Sequence, residues 1–320
     1  MFFSVIIPVY NRPEELTELL NSLTLQTYRD FEVIVIEDGS AKTSKLAVQS
    51  FLDQISIVYL SQPNQGQGFA RNYGMAQANG DFFVILDSDV ILPKDYLSIL
   101  SSAVPIRKLD AFGGPDAAAP DFSVLQKAMD FAMTSFWTTG GIRGKLKDPS
   151  KFQARGFNMG VSKIVFSKTG GFLDPNRGED IEWSIRIKKA GFQLELVEKA
   201  FVYHKRKNTI SSFAKQAFSF GRNRVNVSRF HPEAIKLVHF LPTAFTLFLV
   251  SMIPFSFLEH SIVVFQSLVI GLWFGMILVD SFRRYRSLSV SLLSLVTSLT
   301  QLVGYGLGLV FELAIKTLKD

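Results

Sequence analysis

Two carboxylates one residue apart, Asp87 and Asp89, end a short apolar run, Phe82-Phe83-Val84-Ile85-Leu86, whose start is punctuated by Gly80-Asp81. A run this short, aromatic and branched reads as a buried strand with acids at its carboxyl end. In an open α/β sheet, ligands bind just beyond the carboxyl ends of the strands. Hard divalent cations take oxygen ligands, and Mg2+ is commonly held by one or two carboxylates together with substrate phosphates. Asp87-Ser88-Asp89 is therefore a candidate metal and diphosphate clamp. A plain turn or helix cap uses the same residue types, so the flanking elements must decide.

Those elements alternate. Strands are predicted over Phe3–Ile7, Phe31–Ile36, Ile55–Leu60 and the Phe82 run, and helices over Glu14–Leu25, Thr43–Leu52 and Phe69–Ala78. Strand and helix in alternation predict an α/β domain with a mainly parallel sheet covered on both faces. Pro8-Val9-Tyr10-Asn11, Glu37-Asp38-Gly39-Ser40 and Asp87-Ser88-Asp89 each follow such a strand, which places three polar clusters on one rim. Asn11 suits a helix cap. Asp38 suits either a simple Asp-Gly turn or a contact to a nucleotide base or ribose. Gly66-Gln67-Gly68 lacks the spacing and the Lys-Ser/Thr of a phosphate loop. Arg71, one turn into the following helix, suits a fork donor to phosphate or a solvated face.

Composition bounds the rest. The 320 residues contain no Cys, which excludes disulfides, zinc-thiolate sites and cysteine nucleophiles. The length suits about two domains. A net charge of +6 is unevenly spread, and residues beyond about 236 are overwhelmingly apolar, so the mean hydropathy of +0.22 averages two different environments. Met1-Phe2-Phe3-Ser4-Val5-Ile6-Ile7 has no basic leader, and Pro8 stops the apolar run early, so the amino-terminal domain is expected to stay cytoplasmic.

The blocks Ser4-Val5-Ile6-Ile7-Pro8-Val9-Tyr10-Asn11, Val35-Ile36-Glu37-Asp38-Gly39-Ser40, Ala70-Arg71-Asn72-Tyr73-Gly74 and Leu86-Asp87-Ser88-Asp89, in this order and spacing, resemble family 2 glycosyltransferases of the GT-A fold over about residues 3–230. The resemblance implies a nucleotide-sugar donor, with Pro8, Tyr10 and Asp38 around base and ribose. It also implies a divalent ion, Mg2+ or Mn2+, held on the diphosphate by Asp89 with help from Asp87. Asn11, Glu37, Asn64, Arg71 and Asp87 complete the donor side expected within this region.

The middle of the chain supplies the acceptor side. Gly178-Glu179-Asp180 starts a helix running to about Ala190. Acids in a first turn suit the helix dipole. A transferred sugar also needs one carboxylate to take the acceptor hydroxyl's proton, and by resemblance Asp180 is that base with Glu179 in support. His204, ending a strand Phe201–His204, is a candidate ligand of the metal or diphosphate, although a lone His is commonly structural. Gly114, Trp137, Arg143 and Trp183 are expected on the acceptor side. The aromatic stretch Phe122–Trp137 suits a core helix or one lying at a membrane surface, and residues 138–145 suit a basic lid or a plain connection.

No acid lies between Glu198 and Glu233, whereas cations and aromatics interleave along Ile210–Arg229. This predicts a basic amphipathic helix at an anionic membrane surface rather than a nucleic-acid surface. Arg222 and Arg224 on it are further candidates for diphosphate contact. The expected domains are a GT-A domain over 1–208, the interface helix over 209–235 and a transmembrane region over 236–320, with helices at 237–258, 262–280 and 288–315. The prolines at 242 and 254 leave an interfacial hairpin as the alternative for the first. Arg283, Arg284 and Arg286 place their loop in the cytoplasm and Glu259-His260 outside. Lys316 and Lys319 pull the carboxyl terminus the other way. Gly304, Gly306 and Gly308 suit close helix packing.

The resulting expectation is an inverting, metal-dependent glycosyltransferase, multi-pass in the cytoplasmic (inner) membrane, that moves a sugar from a nucleotide donor, expected to be UDP-linked, to a lipid-linked polyprenyl acceptor. A polyprenyl-phosphate sugar transferase and a processive polysaccharide synthase are the alternatives, with a non-catalytic sugar- or lipid-binding scaffold as the rival of another class. The Gln-x-x-Arg-Trp motif usual in processive enzymes is not completed by Trp137, Trp183 or Trp273. Nucleobase, acceptor and oligomeric state are open at this point.

Overall fold

A computed structural model describes residues 1–117, 122–140, 152–204 and 208–318. The chain forms two compact units, one of Met1–Ala119 with Leu146–Lys205 and one of Pro120–Lys145 with Arg206–Asp320.

The first unit opens with β1 (Phe3–Val9), α1 (Pro13–Thr24), β2 (Phe31–Asp38), α2 (Lys45–Gln49), β3 (Ile57–Gln62), α3 (Gln67–Gln77), β4 (Phe82–Leu86), β5 (Val90–Ile91) and α4 (Tyr96–Ile106). β6 (Ala111–Gly113) and β7 (Asp116–Ala117) follow. In the second unit come α5 (Val124–Thr134) and α6 (Phe136–Thr139). The first unit resumes with β8 (Asn158–Ser162), α7 (Lys163–Thr169), α8 (Glu179–Lys189), β9 (Leu194–Leu196) and β10 (Val202–His204).

Among the described residues the main sheet has seven strands in the order β3-β2-β1-β4-β8-β6-β9. β3, β2, β1 and β4 pair in parallel, β8 runs against both neighbours, and β9 pairs in parallel with β6. A smaller sheet, β5-β10-β7, stands at the rim. Strand alternation sorts the core onto two faces. Val5, Ile7, Val33 and Val35 pack with Leu16, Leu19, Leu20 and Leu23 of α1, while Ile6, Ile34 and Ile36 pack with Ala70 and Met75 of α3 and with Trp183 and Ile187 of α8. Each such side chain fully buried contributes about 1.5–3 kcal/mol. Gly74 is a packing requirement, because a β-carbon there would lie 2.5 Å from Ile36 Cδ1 and 2.9 Å from Ile6 Cγ2.

β1 and β2 run further than the sequence predicts. Their ladder continues through Pro8↔Ile36 and Val9↔Glu37. The β1–β4 ladder stops at Ile6↔Ile85, so Pro8 lies beyond that shared edge, which a residue without an N–H requires in an inner strand. Pro8, Glu37 and Asp38 are thus strand-end residues rather than loop residues. Asn11 does not cap α1 either. Arg12 holds the N-cap position with no side-chain cap, and Asn11, at φ +55°, accepts the Lys42 N–H through Oδ1.

The second unit continues with α9 (Ile210–Phe230), α10 (Leu241–Leu258), α11 (His260–Tyr285) and α12 (Leu288–Thr317). Among the described residues three helical stretches, Leu237–Leu258, His260–Tyr285 and Leu288–Thr317, are long and apolar enough to cross a membrane. Pro242 falls in the first turn of α10, where a missing N–H costs nothing. The arginine cluster sits closer to its helix than predicted: Arg283 and Arg284 belong to the last turn of α11, and Arg286 is its left-handed cap at φ +51°.

The small residues of α12 do support close packing, and their partner is α9. A β-carbon at Gly221 would meet the Tyr305 carbonyl oxygen, one at Gly308 would meet the Phe218 carbonyl oxygen, and one at Gly304 would meet Ala217 Cβ at 2.9 Å. Two buried acids fasten this unit. Glu312 accepts from Arg222 at 2.7 Å and Arg229 at 3.1 Å, and Asp130 of α5 accepts from Arg284 at 2.8 Å and the Tyr285 hydroxyl at 2.6 Å.

Candidate active site

The rim of the parallel strands carries the site. β4 ends at Leu86, and Asp87-Ser88-Asp89 turns the chain directly into β5. β5 pairs antiparallel with β10, and the register His204↔Val90 sets the imidazole beside Asp89. His204 Nε2 lies 3.2 Å from Asp89 Oδ1, and Phe157 stacks on the imidazole with ring centres 4.7 Å apart. The other Asp89 oxygen, Oδ2, accepts from Arg12 Nη1 at 2.5 Å. Burial raises the Asp89 carboxyl, but His204 and Arg12 outweigh it and hold the group well below the usual carboxylate range.

Asp87, Asp89 and His204 each offer one ligand atom within 4.8 Å of the others. The donor set fits a divalent cation. Two ligands at about 2.1 Å from one octahedral ion lie about 3 Å apart, close to the 3.2 Å between Asp89 Oδ1 and His204 Nε2. Asp89 Oδ1 and His204 Nδ1 are buried atoms without a hydrogen-bond partner among the described residues.

Arg71 is not a solvated residue. Its side chain is 1% exposed and it bridges two acids, with Nη2 2.6 Å from Asp87 Oδ1 and Nη1 3.0 Å from Glu179 Oε1. The guanidinium also lies 5.2 Å from the centre of the Phe172 ring. Space for it comes from Gly156, where a β-carbon would lie 2.6 Å from Nη1.

α8 starts at Glu179 after Gly178 in the left-handed region at φ +76°. Its first two acids differ in surroundings. Glu179 is buried and accepts from Arg71 and from Gln67 Nε2 at 2.8 Å. Burial and the neighbouring Asp180 charge push its carboxyl up to about 7, against the pull of Arg71. Asp180 is half-buried, accepting from Gly156 N–H at 3.1 Å and, through Oδ1, from Ile181 N–H at 2.7 Å.

The donor-side residues divide. Tyr10 is exposed, and Asn64 donates to the Asp38 carbonyl at 2.9 Å. The Asp38 carboxylate is buried and takes the Gln65 and Gly66 N–H groups, both at 2.9 Å, with Gln62 Nε2 at 2.7 Å. The amides of the Gly66 loop are therefore turned onto Asp38. Glu37 is buried and accepts from the Ser40 hydroxyl, from Ser44 N–H at 2.5 Å and from the Tyr59 hydroxyl at 2.9 Å. Arg222 Nε is held by Glu312 within the second unit. Arg224 lies on the same helix.

On the acceptor side, Trp183 is fully buried against Phe172 and donates Nε1–H to Thr169 Oγ1 at 2.7 Å, which makes it a core residue. Gly114 is a close-approach position, where a β-carbon would run into the Ala200 carbonyl and Asn158. Trp137 belongs to the second unit, where it packs edge-on to Phe136 and its carbonyl accepts from Trp273 Nε1 at 3.1 Å. Arg143, and the expected lid from residue 141 onward, lie outside the described residues.

Sequence reasoning missed Arg12, Gln67 and Asn158. Arg12 sits next to the β1 rim cluster, and that adjacency was the available signal. Asn158 is fully buried and joins the Tyr96 hydroxyl at 2.6 Å to the Ala200 carbonyl at 2.9 Å, tying the β8 start to the approach of β10.

A parallel sheet ending in an acid pair, with a second acid pair opening a helix behind a shared arginine, defines a GT-A glycosyltransferase domain. The family model "Glycosyl transferase family 2" matches residues 4–168. The chain belongs to glycosyl transferase family 2. It is 28% identical over 235 residues, 71% of this chain and 74% of the relative, to "Glycosyltransferase AglE" of Haloferax volcanii. It is 33% identical over 168 residues, 51% of this chain and 56% of the relative, to "Glycosyltransferase GlyG" of Streptococcus pneumoniae. With GlyA of the same organism the match spans 30% of this chain and 14% of the relative, at 36% identity. Among solved structures, the mannosyltransferase PcManGT from Pyrobaculum calidifontis, in complex with GDP-Man and Mn2+, shares the fold at a TM-score of 0.66 and 17% identity, over 93% of this chain and 86% of that one. TarS 1-349 of S. aureus in complex with UDP-GlcNAc gives 0.50 and 16%, over 99% of this chain and 92% of that one.

Proposed function

We propose that the protein is a membrane-bound inverting glycosyltransferase that moves a sugar from a nucleotide-sugar to the hydroxyl or phosphate of a lipid-linked acceptor. The observation that carries this reading is the Arg71 bridge, which fixes the acid pair at the strand end and the acid pair of α8 around one buried cation. Asp87, Asp89 and His204 would hold a divalent metal, which when bound supplies positive charge to the leaving diphosphate. Asp180, the more open of the α8 acids, takes the acceptor proton, and Glu179 keeps its place through Arg71 and Gln67. Tyr10 and Asp38 stand on the same rim of strand ends, where the base and ribose would bind.

A lipid-linked acceptor and membrane attachment are supported by the three long apolar helices and by the cations of α9. The arginines ending α11 support a cytoplasmic catalytic domain. Neighbours of this fold carry UDP-GlcNAc in one case and GDP-Man in the other, so both bases belong in the test. Purified full-length protein in detergent is incubated with UDP- and GDP-sugars and a lipid extract, with Mn2+ or with EDTA. Metal-dependent nucleotide release with one sugar added per lipid supports the proposal. A ladder of products would establish processive synthesis instead, and donor binding without release would establish a binding scaffold.

A further inference from the structure

We propose that Arg12 is a place-holder for the divalent cation, and that its displacement makes metal and donor binding cooperative. The proposal rests on the metal site described above. Asp87 and Asp89 are each already met by a guanidinium, Arg71 on the first and Arg12 on the second. A cation approaching the site therefore meets a positive charge beside each carboxylate, and Asp89 Oδ2 is occupied by a bond of 2.5 Å while Oδ1 faces His204.

The two arginines are not equivalent. Arg71 is 1% exposed and held by two acids and an aromatic ring, so it stays when the site fills. Arg12 is 38% exposed against 15% for Asp89, and its guanidinium donates to that one acid. It is attached where β1 leaves the sheet, one residue before α1, so rotation of its side chain disturbs no strand pairing. A diphosphate arriving with the metal offers the released guanidinium a new fork acceptor. Metal alone must compete with Arg12. Metal with a diphosphate relieves that competition, so each ligand favours the other by the same factor.

The test is Mn2+ binding by calorimetry to the full-length protein in detergent, without nucleotide and with UDP or GDP, for the native chain, Arg12→Gln and Arg12→Lys. Without nucleotide, Arg12→Gln should bind Mn2+ about three- to tenfold more tightly than the native chain, the range that a part-exposed charge-assisted pair supports. Arg12→Lys, which keeps the charge, should stay near the native value. Nucleotide should tighten Mn2+ binding strongly in the native chain and clearly less in Arg12→Gln. Unchanged or weaker Mn2+ binding in Arg12→Gln, or equal tightening by nucleotide in both, overturns the proposal. Absence of Mn2+ binding in every protein with either nucleotide overturns the metal site as well. Thermal melts of the variants check that each is folded.

Discussion

Arg71 Nη2 stands 2.6 Å from Asp87 Oδ1 while Nη1 of the same guanidinium stands 3.0 Å from Glu179 Oε1, so an acid following β4 and an acid opening α8 share one buried cation. Removing one partner of a buried ionic group costs about 3–5 kcal/mol, because the other charge is left unpaired. Arg71→Ala should therefore lower the unfolding temperature and abolish turnover, and Arg71→Lys should recover part of the stability but little activity, since an ammonium cannot fork. Thermal unfolding and nucleotide release, measured on the same preparations, check both halves.

Glu179 gives stability a pH dependence. Burial and the Asp180 charge push its folded-state carboxyl up to about 7, above the usual carboxylate range. A raised acid binds its proton more tightly when folded. Its contribution is fully present below the unfolded value and is lost as pH rises through about 7. The native chain should thus lose stability between about pH 5 and pH 8. Glu179→Gln, which keeps an acceptor for Arg71 and Gln67, should flatten that slope. Unfolding temperatures of the two proteins across this range decide it.

Asp180→Asn keeps the shape at the start of α8 and removes the proposed base. Turnover number should fall about 10²–10⁴-fold, with the donor KM little changed. A comparable fall in donor affinity would instead make Asp180 a donor ligand.

Metal removal should separate two kinds of residue. EDTA should stop turnover in the native chain, and excess Mn2+ should restore it. His204→Ala should raise the Mn2+ concentration needed for half-maximal rate about 10–100-fold. Phe157→Leu, which removes the ring stacked on His204, should give a smaller shift in the same direction.

Gly221 tests the helix seam of the second unit. Gly221→Val places a side chain against the Tyr305 carbonyl, with its first carbon 2.6 Å from Leu309 N. Overpacking of this kind costs about 1–3 kcal/mol. The variant should melt earlier in detergent, whereas Gly271→Val, where a β-carbon meets nothing within 4 Å, should not.

Much of the first unit is readable from local pattern. Alternating Val and Ile in Val33-Ile34-Val35-Ile36 must cover two faces, and they do. The acid pair after Phe82–Leu86 is visible because its run ends so abruptly. What local pattern hides is how charge is shared across distance. Arg71 reads as a surface residue of α3 until β8 and α8 fold over it, and Glu37 reads as a rim ligand until Tyr59 and Ser44 enclose it. Trp183 follows an acidic first turn and looks available, yet the face of α8 that carries it is the buried one. The partner of the glycines in α12 was similarly unreadable, because a small-residue stripe states how close a neighbour comes and not which neighbour it is.

The Asp130 anchor has a practical consequence for anyone seeking a soluble enzyme. α5 lies between β7 and β8 in the chain but belongs to the second unit, where Asp130 is met by Arg284 and Tyr285 and the Ala128 carbonyl by Thr297 at 2.8 Å. A stop codon after residue 208 would retain α5 while discarding all three of those partners. The fragment would carry a stranded acid and an apolar helix that it had never been asked to solvate. Excising the catalytic half cleanly takes two edits, one removing the apolar tail and one replacing residues 120–145 with a short polar connector.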